Sequence, residues 1–292
     1  MKLYYYTFTG HKIGLDRVKR AVPILKGLRE KGIETMLLTN DFRAGLVARD
    51  LGIPESIHIE GIQDIDAIAE NGDCIIIDSP EDDHGRLVKY CADFKQVFRF
   101  AEQENDKSIH GETILRLDCK EGDDCISSLI IDDVYFGEHQ KEERTLFFLG
   151  DSDSDKKILN NIDFFKEMKM ELLLGHYFYV KYEDDLAKLF TTLHEAEEYT
   201  DLICNSSHVV TTSVQTALEA YVTGAKVTYL EILPLKQEEK ELFKLLKIII
   251  IIGFDKELTL EVIEKVKLDN DYKKCVNIAK ADKIIDEIYH LL

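Results

Sequence analysis

The sequence predicts an α/β protein built from two mostly parallel sheets, and three observations carry that prediction. Short apolar segments of strand length alternate with amphipathic helical segments along most of the chain. The alternation weakens over Glu102–Glu143, a charged, glycine-containing stretch, and resumes at Thr145. With 292 residues, the chain is long enough for two domains of ordinary size.

The first half reads in order as follows. Lys2 to Phe8 is an aromatic-rich strand, and Thr9 to Gly14 a loop with two glycines. From Asp16 the period becomes helical, with Val18, Val22, Leu25 and Leu28 on one face and Gly32 as the stop. Pro23 predicts a kink or a late start, since an interior proline costs about 3 kcal/mol. Ile33 to Leu38 is a strand, Phe42 to Leu51 a helix, Ser56 to Ile59 a strand and Ile65 to Glu70 helical. Cys74 to Ile77 is a fully apolar strand, Arg86 to Ala92 a helix, Gln96 to Phe100 a strand, and Leu129 to Ile131 the last strand of this half.

The second half begins with strand Leu146 to Leu149, which runs into Gly150-Asp151-Ser152-Asp153-Ser154-Asp155. A helix to about Lys169, strand Glu171 to Leu174 and an amphipathic helix over Glu183 to Glu198 follow. A strand within Asp201 to Thr211, helix Val214 to Tyr221, strand Val227 to Leu230, helix Leu242 to Leu246 and strand Ile248 to Ile252 complete the alternation before a tail helix, Lys280 to Leu291. The expected division is 1–140 and 141–292, two Rossmann-like domains facing across a cleft, with ligands at the carboxyl ends of the strands.

Composition removes several functions. There are 37 cationic against 56 anionic side chains, a net charge of −19. No cationic face for a nucleic-acid backbone or an anionic membrane surface is expected. No apolar run approaches the ~20 residues of a membrane span, and the N-terminus lacks a signal-like core. The six cysteines form no C-x-x-C pair or zinc spacing, so reduced thiols and a cytoplasmic location are expected. No G-x-G-x-x-G follows the first strand, which argues against a nicotinamide enzyme.

Two segments carry chemistry. His11, Lys12, Arg17, Lys19 and Arg20 gather beside Gly10 and Gly14 at a helix start, where an anion would find cations and backbone amides; a solvated helix face is the alternative. Thr211, Thr212, Ser213 and Thr216 place hydroxyls and amides at a second helix start, which suits a diphosphate. Glu219 follows Thr216 by three residues, on the same helix face; the alternative is a hydroxyl cap with an ordinary acid nearby.

The order of these motifs resembles one group of proteins. Ile13-Gly14-Leu15-Asp16-Arg17-Val18-Lys19-Arg20, followed by Leu25, Leu28 and Gly32, is similar to the first loop and helix of the UDP-sugar hydrolase of pseudaminic acid biosynthesis. That hydrolase is related to the lipid-II-forming N-acetylglucosaminyl transferase among GT-B-fold proteins. Their loop reads I-G-x-G-H, an aliphatic residue, a variable one and Arg. Gly14 and Arg20 match, Asp16 stands at the second glycine and Arg17 at the histidine. Ile75-Ile76-Ile77-Asp78 resembles the family's strand ending in Asp. Leu149-Gly150-Asp151-Ser152-Asp153 resembles its G-G-[ST]-D turn, with Asp151 at the second glycine. Val209 to Ala220 resembles its nucleotide-binding strand, loop and helix, with Thr216 and Glu219 on the family's Thr and Glu. Gly224-Ala225-Lys226 stands at its Gly-x-Pro turn.

The resemblance covers about residues 1 to 230. It implies a GT-B fold and a nucleotide-sugar partner, UDP above all, with neither metal nor other cofactor. The implied substrate-binding residues are Gly14, Arg17, Arg20, Asp78, Gly150, Ser152, Asp153, Thr212, Ser213, Thr216 and Glu219. The family's loop histidine is its expected catalytic group, and Arg17 cannot act as that base. The remaining candidates are Asp16, a weak base among cations, and His11, whose imidazole suits proton transfer near neutrality. The expected activity is hydrolysis of a nucleotide sugar or transfer of its sugar in surface-glycan biosynthesis; the alternative is a nucleotide-sugar-binding or scaffold protein without catalysis. Asp82, Asp83 and His84 read as a solvated acidic loop rather than a metal corner. His176, Tyr177, Phe178 and Tyr179 suit either a sugar-stacking wall or the core.

Overall fold

The computed structural model describes residues 1–120, 123–178, 182–268 and 278–292. The chain divides into two compact units, Met1–Asp133 with Ala279–Leu292, and Val134–Ile278.

In the first unit the elements are β1 (Leu3–Thr7), α1 (Asp16–Glu30), β2 (Thr35–Thr39), α2 (Phe42–Asp50), β3 (Ser56–His58), β4 (Cys74–Asp78), α3 (Arg86–Asp93), β5 (Gln96–Phe100), β6 (Thr113–Arg116) and β7 (Ile126–Ser127). The strands form one sheet in the order β3-β2-β1-β4-β5-β6-β7, and every pairing is parallel. All residues of β1 and β4 are buried, which explains their continuous apolar or aromatic sequence: helices cover both faces of a parallel sheet.

The second unit contains β8 (Glu142–Phe148), α4 (Lys157–Asn160), α5 (Ile162–Phe165), β9 (Glu171–Leu173), α6 (Glu183–Leu186), β10 (Leu193–His194), α7 (Tyr199–Asn205), β11 (Ser206–Thr211), α8 (Val214–Val222), β12 (Lys226–Glu231), α9 (Gln237–Leu246), β13 (Ile249–Ile252) and α10 (Lys256–Leu268). Its sheet has the order β10-β9-β8-β11-β12-β13, again parallel throughout. The single-turn helices α4 and α5 are too short to hold by backbone bonding alone. Phe164 and Phe165 anchor α5, with Phe165 5.1 Å from Phe147 and 5.2 Å from Phe190 between ring centroids. Each buried aromatic of this kind contributes roughly 1.5–3 kcal/mol.

Helix α11 (Asp282–Leu291) returns to the first unit and packs on α1 and β7, whereas the sequence division had assigned the tail to the second half. Gly27 makes room for it: a Cβ there would lie 2.4 Å from the Ile285 Cδ1. Lys31 and Asp286 add an ion pair beside this contact.

Several boundaries differ from the sequence reading. Helix α1 starts at Asp16 and runs through Pro23, so the helix does not start late. The helix expected over Glu183 to Glu198 is only the single turn α6; Leu186 and Phe190 are buried at helical spacing, but Thr191 hands its amide to Met170 O and Leu193 joins β9 in a ladder. The helix expected to reach Lys169 breaks at Asn161, whose backbone is not helical (φ −123°, ψ 37°). The last strand of the first unit is Ile126–Ser127 rather than Leu129 to Ile131, although Ile130 and Ile131 are buried. Strand β6 and helix α10 were not read from the sequence at all. The tail residues Asp271 to Asn277, with Cys275, and Tyr179 lie outside the described residues.

Thiol chemistry also differs from expectation. Cys119 and Cys125 are joined in a disulfide, in the segment between β6 and β7. That segment folds back on itself through Cys119 N–H to Arg116 O and Asp123 N–H to Lys120 O, which brings the two cysteines within bonding reach. Cys74, Cys91 and Cys204 are free.

Candidate functional site

In each sheet the strand order reverses once, at β1/β4 in the first and at β8/β11 in the second. Such a switch point opens a crevice beyond the carboxyl ends of the two strands, because the connections leave it in opposite directions. The segments singled out in the sequence fall at these two points.

At the second sheet's switch point, Thr211 pairs with Phe148, so Thr212-Ser213 and Leu149-Gly150 leave side by side. The Thr212 hydroxyl donates to Leu149 O and ties the two loops together. Ser213 is the N-cap of α8, and its Oγ accepts the Thr216 amide at 3.0 Å. The Thr211 hydroxyl oxygen accepts the Ser213 amide at 3.1 Å. By helix geometry the first-turn amides of α8 have no acceptor inside the helix, and they add to the positive end of its dipole.

Beneath this helix start lies a buried polar cluster. The Tyr199 hydroxyl reaches Thr216 Oγ1 at 2.7 Å and donates to Glu219 Oε2 at 2.6 Å. The Gln215 amide donates to Glu219 Oε1 at 2.9 Å. Glu219 is only 1% exposed and Thr216 fully buried, so both point into the unit and α8 is locked in place from below.

Across the switch point the turn after β8 is similarly fixed. Asp153 accepts the amides of Lys157 at 2.6 Å and Ile158 at 3.2 Å, so it caps α4, and burial raises its pKa. The Ser152 hydroxyl oxygen accepts the Ser154 amide at 3.3 Å. Asp151 holds the next strand's loop: its carbonyl accepts the Tyr177 amide at 2.8 Å, and its carboxylate lies 3.6 Å from His176 Nδ1. A Cβ on Gly175 would fall 2.3 Å from the Asp151 backbone, so only glycine permits this approach. Tyr177 is buried and Phe178 packs against the unit's core, which favours the core reading of those aromatics.

The first sheet's switch point is occupied by the chain itself. Asp78, at the end of β4, is fully buried. It accepts Arg20 Nε at 2.6 Å, Arg20 Nη2 at 2.5 Å and the Tyr5 hydroxyl at 3.0 Å, and Arg17 Nε lies 3.2 Å away. Arg17 Nη2 also reaches both oxygens of Glu102, at 2.9 and 3.0 Å. The Arg20 guanidinium stacks 4.6 Å from the centre of the Phe100 ring. Burial pulls the Arg20 pKa down, but Asp78 outweighs it and the net shift is upward. Burial drives the Tyr5 pKa well up, and Asp78 reinforces it. Two arginines thus face two carboxylates, and little positive charge remains for an external anion.

Gly14 closes the preceding loop on Gly10, donating its amide to the Gly10 carbonyl at 2.8 Å. His11 is exposed on the loop, and Asp16 sits 3.5 Å from Lys19 Nζ. Asp82 and Asp83 accept backbone amides of His84, Gly85 and Leu87, the behaviour of a solvated turn and helix cap. Sequence reasoning missed Tyr5, Glu102, Tyr199 and Gln215. Only Gln215 carried a local signal, four residues before Glu219 on one helix.

The two parallel sheets define an α/β protein of the GT-B type. No family model matches the chain, and no curated protein matches it in sequence. Solved structures do. A UDP-GlcNAc 2-epimerase from Methanocaldococcus jannaschii, crystallised with UDP-GlcNAc and UDP, aligns with 99% of this chain and all of its own at a TM-score of 0.63 and 12% identity. A putative UDP-N-acetylglucosamine 2-epimerase from Listeria monocytogenes aligns with 99% of this chain and 95% of its own (TM-score 0.64, 11% identity). The spinosyn rhamnosyltransferase SpnG aligns with the whole chain and 97% of its own (TM-score 0.63, 13% identity). At these identities the likeness is one of fold.

Proposed function

We propose that the chain binds a nucleotide diphosphate sugar, UDP-linked above all, at the switch point of its second sheet. The observation that carries this reading is the start of α8: a Ser213-capped helix end beside the Gly150 turn, fixed from below by Tyr199, Thr216 and Glu219. The diphosphate takes the first-turn amides of α8 and the Ser213 hydroxyl, and the Thr212 hydroxyl turns from Leu149 O to meet it. Gly150 and Ser152 line the other side, and Asp153 keeps that turn in shape. Glu219 receives the ribose hydroxyls in place of the Gln215 amide. The enzymes of like fold that act on UDP-GlcNAc, and the hydrolase that the sequence motifs resemble, support the same ligand class. Hydrolysis or transfer of the sugar in surface-glycan biosynthesis is the activity this reading assigns, with His11 or Asp16 as the base.

A specific observation favours a second reading, binding without catalysis. The family's loop histidine is Arg17 here, and Arg17 and Arg20 are engaged by Asp78 and Glu102. His11 is exposed, and Asp16 is paired with Lys19. The experiment is a panel of UDP-, GDP- and CMP-sugars, with binding followed by calorimetry and nucleotide release by chromatography. Binding with release supports the enzyme, binding without release supports the second reading, and no binding by any member rejects both.

A further inference from the structure

The opposite, amino-terminal edge of the second sheet carries a pocket of about 560 Å³. It opens at the starts of β8, β9, β11 and β12, away from the strand ends discussed above. Its charge is unlike the rest of the molecule. Lys141, Arg144, Lys169, Lys226 and Lys267 line it, in a chain of net charge −19. Its carboxylates are Glu142, Glu143 and Glu171. Arg144 engages two of these, Glu142 at 2.5 Å and Glu171 at 2.8 Å. Lys141, Lys169, Lys226 and Lys267 complete the cationic part of the described lining.

Two of the lysines are held in position by neutral oxygens. Lys141 Nζ donates to Cys204 O at 2.6 Å and to the Thr223 hydroxyl at 2.8 Å, and Lys226 Nζ donates to Val266 O. Their ammonium groups are therefore pre-organised rather than waving in solvent, which lowers the ordering cost of binding.

A second, independent feature lies in the pocket wall. His208 lines the pocket while only 2% exposed. Its Nε2 lies 2.9 Å from the Thr228 hydroxyl, and its Nδ1 is buried with no hydrogen-bond partner among the described residues. A neutral ring that accepts the Thr228 hydroxyl at Nε2 carries its proton on Nδ1, ready to donate to an oxyanion. An unmet buried donor is costly, and a ligand is one way of meeting it. The ladder is also irregular here: Ser206 pairs with Glu142 but His208 with Thr145, so β8 gains one residue over β11 at the pocket wall. Such bulges re-aim side chains beside binding sites.

We propose that this pocket binds a compact oxyanion, a ligand carrying phosphate or carboxylate groups, at a site separate from the nucleotide edge. The lysines supply the charge and His208 a directed donor.

The test is calorimetric titration of the full chain with inorganic pyrophosphate and, separately, citrate, which distinguishes phosphate from carboxylate sources. Both exposed lysines are reversed in a Lys169→Glu/Lys267→Glu variant, which touches no core residue. A tenfold or greater loss of affinity in that variant, with UDP affinity unchanged, supports the site. Val214→Pro, at the nucleotide edge, is expected to leave citrate affinity unchanged, and pyrophosphate is titrated with UDP saturating that edge. Nitrogen-detected NMR of the His208 ring gives a second readout, in which a saturating probe shifts Nδ1. No binding of either probe, binding unaffected by the double reversal, or citrate binding lost with Val214→Pro overturns the proposal.

Discussion

The two switch points have the same topology and opposite chemistry. At the first, the buried carboxylate of Asp78 takes up Arg20, Arg17 and Tyr5, and Glu102 takes the rest of Arg17. At the second, the polar groups under the helix start are hydroxyls, an amide and one carboxylate, and they hold α8 so that its first turn ends at the crevice. The comparison teaches that cationic residues near a glycine loop do not by themselves make an anion site. What decides is whether the chain supplies their counter-charges. The first switch point is internally neutralised, and the second keeps its attraction in the backbone dipoles of α8, of whose first turn Ser213 caps the Thr216 amide.

The comparison is most severely tested at Asp78. Asp78→Ala leaves the half-buried Arg20 guanidinium and the buried Tyr5 hydroxyl without their acceptor and Arg17 with Glu102 alone, so a loss of about 3 kcal/mol is expected in urea unfolding followed by far-UV signals. UDP affinity of the folded fraction should not change. A variant with reduced UDP affinity and intact stability would show that the first switch point serves the ligand after all.

A smaller effect is expected from acid. Burial, aided by Lys226 and Lys267, lowers the His208 pKa to about 3. The unfolded chain titrates near 6.5, so below that pH it takes up a proton that the folded chain refuses. This contribution is complete above pH 6.5 and is lost as the pH falls from there toward 3. Between pH 7.5 and pH 5 it amounts to about 2 kcal/mol. His208→Gln should flatten that part of the pH profile, and an unchanged slope would contradict the burial of a neutral ring.

Glu219→Gln sharpens the second switch point itself. Loss of the charged acceptor should weaken UDP by about 1–3 kcal/mol, the scale of a hydrogen bond to a charged group. Gln215→Ala should leave UDP affinity equal or slightly higher, since the amide it removes competes with the ribose. The smallest effect is that of the cap: Ser213→Ala should cost about 1 kcal/mol of stability by leaving the Thr216 amide unmet, read as a shifted urea midpoint.

Much of the architecture was legible because parallel strands are buried on both faces and so read as apolar runs: Cys74 to Asp78 and Val209 to Thr211 are examples. The helix starts were legible too, through Ser213 as a cap before Val214. What stayed hidden depends on contacts distant in sequence. The Asp78–Arg20 pair spans 58 residues and the Arg17–Glu102 pair 85, and no local pattern announces either. Tyr199 meets Glu219 from a different helix. Strand β6 was missed because Arg99, Arg116 and Glu112 fold their charges into local bonds, so the segment reads as a polar loop.

The most direct measurement uses proline at the first helical position of α8. Ser213 is already extended (φ −94°, ψ 127°), the conformation that precedes proline comfortably, and proline suits the first turn of a helix. Val214→Pro therefore deletes one amide donor while leaving the helix in place. The account predicts an unchanged melting temperature and a UDP dissociation constant raised about 10- to 100-fold, as expected for a lost hydrogen bond to a charged phosphate. A stable variant that binds UDP as tightly as the parent would contradict it.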